Sequence, residues 1–345
     1  MRTLLEERYR FLLRMLPAGY RARREEEMVA TYLEGMTGTE EEGLGRPRWS
    51  EARGIAGLAV RVRLGGTGAP ARSLARGETV RLVALLGVAA QVAISLHGAA
   101  RALLPGRSGS PVWTLTWPDV LLTLGWTAAF ILLIAGFARP ARVLVLAVAA
   151  AQVLASLDAE RLTALLSGSE AVIWASWTAL MVVPAVALAT GFHRDAPHPG
   201  HRWLAVPPAG AALLALHGLL PSLGSVYEVY SFALLIGGLT WLTVTRRAAE
   251  PGPGKRGRYA RWAAAWSGPQ VPLALFALAV PTLGAWLPLL AAYWASVPFV
   301  MPYLVVETAG AVALALTAPA LLAAGVRALR RLPAPEQLPT AATPA

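Results

Sequence analysis

The stretch VRLVALLGVAAQVAISLHGAARALL, residues 80–104, contains only Arg81 and Arg101 as charged residues. A helix rises about 1.5 Å per residue, so crossing the roughly 30 Å hydrocarbon layer of a bilayer takes about 20 apolar residues. A second stretch, LLTLGWTAAFILLIAGF at 121–137, has no charge at all. Runs of this kind recur to about residue 325. In lipid the backbone must satisfy its own hydrogen bonds, which makes each run a helix. The reading is an all-α, polytopic membrane protein with eight spans, at 80–104, 118–137, 141–158, 171–192, 203–221, 226–245, 270–290 and 300–325. Pro288, Pro298 and Pro302 crowd the turn between the last two.

The composition agrees. Of 345 residues, 56% are hydrophobic and 15% charged, against about 25% charged in soluble domains. The net charge of +11 would suggest nucleic acid in a soluble chain. Here the positives flank apolar runs and set topology, so the expected surface partner is the lipid bilayer and no direct nucleic-acid binding is expected. The absence of cysteine excludes disulfides, thiolate catalysis and Cys-ligated metal. The first long apolar run starts near residue 80, so no signal peptide is expected and the first span directs insertion.

Charge decides orientation. The even-numbered turns and the C-terminal end hold Arg139, Arg142, Arg194, Arg202, Arg246, Arg247, Lys255, Arg256, Arg258, Arg261, Arg327, Arg330 and Arg331. The odd-numbered turns hold Arg107 and Arg161, with Arg101 at a helix end, and carry Asp158, Glu160 and Glu170. This asymmetry predicts a multi-pass plasma-membrane protein with both termini cytoplasmic. Trp113, Trp117, Trp174, Trp177, Trp286 and Trp294 then fall near the outer interface, and Trp203, Trp241, Trp262 and Trp266 near the inner one.

Residues 1–66 balance Arg against Glu and read as a cytoplasmic three-helix bundle. Leu5, Tyr9, Leu12 and Leu16 share one face of a first helix, which Pro17-Ala18-Gly19 stops. Met28, Tyr32 and Met36 share a face of a second helix, over 20–36. Ser50 is a candidate N-cap for a third, with Ile55, Leu58 and Val62 inward. About 60 residues bury only a small core, which leaves surface for a partner. The candidate contacts are Tyr9, Leu12, Leu16, Arg14, Arg21, Met28 and Tyr32. Residues 67–78, with a Gly-rich start, read as a juxtamembrane linker, 79–325 as the membrane domain and 326–345 as a disordered cytoplasmic tail.

Isolated polar groups inside spans are costly to bury and mark functional candidates. Glu307, His97, His217, Asp119 and Glu228 all fall toward the outer level. One reading makes them the lining of a polar cavity. The other makes Asp119 and Glu228 interfacial N-caps and lets the histidines reach the headgroups. His193, His198 and His201 lie near Asp195, but Pro197, Pro199 and Gly200 keep them off a common helix face, so a topology-setting loop is favoured over a metal site. Pro184, Pro281 and Pro319 interrupt spans, as in the broken helices of transport sites and in many ordinary membrane helices. The chain has no G-x-x-x-x-G-K-[ST], H-E-x-x-H or G-x-S-x-G motif, which leaves an enzyme reading without nucleophile, metal or cofactor.

The segment RYRFLLRMLPAGYR (8–21), followed by Glu25-Glu26-Glu27-Met28, resembles the HAAS signalling domain, or permease prefix domain, over about residues 8–40. An aromatic-led Leu-rich helix, a Pro-containing turn, then Arg and Glu leading into a second amphipathic helix carry the likeness. Residues 30–36, ATYLEGM, depart from that family's acidic, His-containing ending. The resemblance implies a membrane-anchored signalling protein whose prefix binds a partner such as a PadR-like transcription regulator. It equally suits a permease-type subunit served by an ATPase on a separate chain, or a small-molecule transporter. Either form could be a homo-oligomer. The scarcity of charge within the spans favours signalling over an ion-coupled carrier.

Overall fold

A computed structural model describes residues 4–35, 49–65, 71–103, 116–155, 168–190, 201–218, 268–296 and 302–332, with single positions 234, 237 and 241. Every element among them is helical. In chain order they are α1 (Leu4–Leu13), α2 (Ala18–Glu34), α3 (Trp49–Arg63), α4 (Ala71–Leu103), α5 (Trp117–Ile134), α6 (Ala138–Ala155) and α7 (Gly168–Thr190). A 3-10 turn (His201–Ala205), α8 (Val206–Gly218), α9 (Gln270–Ser296) and α10 (Pro302–Arg331) follow. The chain separates into two units, built mainly on Met1–Glu78 and on Thr79–Ala189 with Ala196–Leu332.

In the first unit, α1 tightens as it ends. Arg14, Met15 and Leu16 amides donate three residues back, to Phe11, Leu12 and Leu13 carbonyls at 3.2, 3.1 and 2.9 Å. This narrower winding carries Leu16 round onto the face of Leu13. The buried stripe is therefore Leu5, Tyr9, Leu13 and Leu16, with Leu13 at 0% exposure. Leu12, expected on that stripe, packs at its margin instead. Pro17 precedes α2, where its missing N–H costs nothing, so Gly19 is helical rather than part of a stop. Val29 replaces the expected Met28 as the buried residue of α2, and Met28, Tyr32 and Leu33 pack around it. Met36 lies outside the described residues. Ile55 and Ala59 complete the core from α3. That helix starts at Trp49, so Ser50 sits inside its first turn and not at its N-cap.

The second unit contributes most of the six helices long and apolar enough to cross a membrane: Ala71–Ala100, Trp117–Ile134, Ala138–Ala155, Ala171–Thr190, Gln270–Pro288 and Thr308–Arg331. Of the two remaining expected spans, 203–221 falls on the 3-10 turn and the thirteen-residue α8, and 226–245 lies almost wholly outside the described residues. Leu121, Val143, Leu154 and Leu316 are each about two-thirds exposed, an unfavourable surface in water and a suitable one in lipid. Two boundaries move. Residues 71–78, expected as linker, are already helical in α4. At the other end α10 continues through 326–331, where Arg330 and Arg331 suit the negative end of its dipole, and Pro333 follows shortly.

Glycines set the close approaches. Gly125 faces Val148 across α5 and α6, Gly284 faces Ser176 across α9 and α7, and Gly310 faces Trp286 across α10 and α9. Trp286, expected in an interfacial belt, is instead 2% exposed and packs with Leu290 and Ala311. Between α5 and α6, Phe137 N donates to Leu132 O and Gly136 N to Leu133 O, with Gly136 at φ 89°. That pair of bonds is a Schellman turn, and a side chain at Gly136 would be strained there.

Candidate functional site

The N-terminal unit presents a built polar junction. Arg10 on α1 donates through Nε to Glu6, at 3.0 Å, and through Nη1 and Nη2 to the two oxygens of Glu26 on α2, each at 2.8 Å. Glu25 lies 3.6 Å from the same guanidinium. The Glu26 bonds first, then Glu6, raise the Arg10 pKa further above its ordinary value. One residue earlier on α1, the Tyr9 ring stacks on that of Tyr32 of α2, centroids 4.0 Å apart and 2° from parallel. Burial, then the charge of Glu51 and the nearby Tyr32, raise the Tyr9 pKa.

These contacts change which residues can meet a partner. Tyr9 and Leu16 are core residues, 5% and 3% exposed, and are closed to any partner that leaves the fold intact. Leu12, Met28 and Tyr32 are half-buried against the same core. Arg21 is half-buried with Glu25 3.8 Å away. Arg14 is exposed, its guanidinium 5.8 Å over the Phe11 ring. Phe11, at 65% exposure, and Met15, one turn on, form the open apolar face that periodicity had not marked. Arg63 of α3 donates to the Met15 carbonyl at 2.9 Å, so cationic groups stand at both ends of this face.

The five intramembrane candidates fall in different settings. His97 is buried in α4, at 7% exposure. Asp119 is exposed, and its Oδ2 accepts bonds from Thr116 N at 3.1 Å and Thr116 Oγ1 at 2.5 Å, which ties the N-cap residue to the first turn of α5. His217 belongs to α8 and Glu307 to α10, but their side chains lie outside the described residues, as does Glu228 entirely. Of the histidine cluster only His201 falls on a described element, and no group of metal-binding side chains occurs among the described residues.

A different polar feature occupies the second unit. Gln91 on α4 is 3% exposed, and its Nε2 donates to the Leu180 carbonyl on α7 at 3.3 Å. Ser176, one turn before Leu180, and Thr282 of α9 are also buried, and Thr282 Oγ1 donates to Leu278 O at 2.8 Å. The only sequence signal for Gln91 is an amide in an apolar run. A search confined to titratable groups passes over it. Comparison with known protein families, curated proteins and solved structures finds no match to this chain.

Proposed function

We propose that this chain is a multi-pass plasma-membrane protein of eight spans, with both ends cytoplasmic, whose N-terminal three-helix bundle binds and releases a transcription regulator. One observation carries the reading. Helices α1, α2 and α3 hold a core of their own around Leu13 and Val29 while leaving Phe11 and Met15 open beside Arg14, and Trp49 open at the start of α3. A small charged unit with an unspent apolar face, on a chain otherwise made for lipid, is equipped for a soluble partner. Pro184 inside α7 and Pro281 inside α9 favour a second reading, a permease-type subunit, since prolines within spans also accompany transport sites.

The test is affinity capture with the full chain solubilised from its native membranes. Enrichment of a transcription regulator supports the first reading and enrichment of an ATPase supports the second. A Phe11→Asp, Met15→Asp chain that captures the same proteins equally well removes the proposed face.

A further inference from the structure

Pro184 has no N–H to give the carbonyl four residues back, which is that of Leu180. In lipid an unsatisfied carbonyl is costly, so a donor must come from elsewhere. Gln91 of α4 supplies it, at 3.3 Å, from a side chain 3% exposed. One turn before Gln91 is Gly87, and a Cβ there would fall on the Pro184 ring. The neighbouring helix thus accommodates the proline with one residue and repairs its missing bond with the next residue on the same face. Ser176 adds a third fitted contact on α7, against Gly284 of α9.

We propose that α7 is a two-segment helix hinged at Pro184, with Gln91 as the latch that holds the segments in register. The latch is an amide, so it carries no charge into the apolar layer and does not respond to pH. Opening it exposes the Leu180 carbonyl and frees the residues before Pro184 to swing against those after it.

The experiment uses the full chain in nanodiscs and hydrogen exchange along 172–190. Gln91→Leu should speed exchange there about three- to tenfold, the range that one interhelical hydrogen bond in a membrane supplies. In a Pro184→Ala background, residue 184 again donates to Leu180, so the same Gln91→Leu change should alter exchange less than about twofold. An equal increase in both backgrounds overturns the latch, and so does no increase in the native background. Because the chain lacks cysteine, spin labels at Val172→Cys and Val186→Cys give a measurement free of the Pro184 variant. Their separation, about 21 Å along a straight helix, should broaden with Gln91→Leu. It should not broaden with Gln152→Leu, which removes the hydrogen bond that Trp126 Nε1 of α5 donates to Gln152 Oε1 of α6. An unchanged width in Gln91→Leu overturns the proposal.

Discussion

Arg10 grips both oxygens of Glu26 with both terminal nitrogens at 2.8 Å, while its Nε keeps Glu6 at 3.0 Å. One planar fork thereby fixes α1 to α2 and to its own preceding turn. A lysine has the charge without the fork. Arg10→Lys should therefore loosen the α1–α2 pair, read as faster hydrogen exchange in 4–34 of the full chain. Since Glu26 is largely exposed, the difference should shrink in high salt. Equal exchange in lysine and arginine chains would show that charge alone suffices.

Leu13 and Leu12 separate a core position from a neighbouring one. Leu13→Ala empties a site of 0% exposure and should destabilise the N-terminal unit by about 2–5 kcal/mol. Leu12→Ala, at the margin, should lose less than half as much. Urea titration of exchange protection in α1 and α2 measures both. A larger loss at Leu12 would restore the stripe that spacing alone suggests.

Tyr9 gives the N-terminal unit an alkaline limit. Its folded pKa is raised, by burial first, so the neutral phenol is the form that the fold prefers. The associated stability is intact below the ordinary tyrosine value near 10 and declines as pH rises through the folded pKa. A chain with Tyr9→Phe should lose this component of its alkaline unfolding. Absorbance at 295 nm should show one fewer late-titrating tyrosine.

Trp126 and Gln152 join α5 to α6 by an indole-to-amide bond of 2.8 Å, with Trp126 at 0% exposure. Trp126→Phe and Gln152→Leu should each lower the thermal midpoint of the solubilised chain. Their combination should be less than additive, with a coupling of about 0.5–2 kcal/mol. Full additivity would mean that the two act separately.

Orientation is the fifth prediction. Reporter fusions after Arg107, Ser169 and Ser222 should score as external, and those after Arg194, Lys255 and Arg331 as internal. An external score after Lys255 reverses the assignment.

The apolar runs were legible because lipid imposes one rule on every stretch of backbone within it. The ends of α4 and α10 were not, since ARSLARGE at 71–78 and VRALRR at 326–331 are polar enough to read as flanks yet hold no proline to stop a helix. Leu13 was missed because the face was extrapolated at a constant pitch, and α1 tightens after Leu13. Trp286 was assigned by its type, whereas Gly310 opens a place for its ring between helices. The Gln91 bond depends on the register of residues 89 positions apart, which no local pattern encodes. Pro184 was noticed as an interruption, but its repair lies on another helix.

The Schellman turn at Gly136 also bears on how the protein is made. Only three residues separate Ile134 from Ala138, too few to cross a bilayer or even to stretch along one. As two apolar spans, α5 and α6 consequently keep their joined ends on one side of a bilayer. Neither can invert without the other. An insertion that lengthens the turn would release that constraint and let nascent chains partition between two topologies, a heterogeneity that refolding after synthesis would be slow to erase.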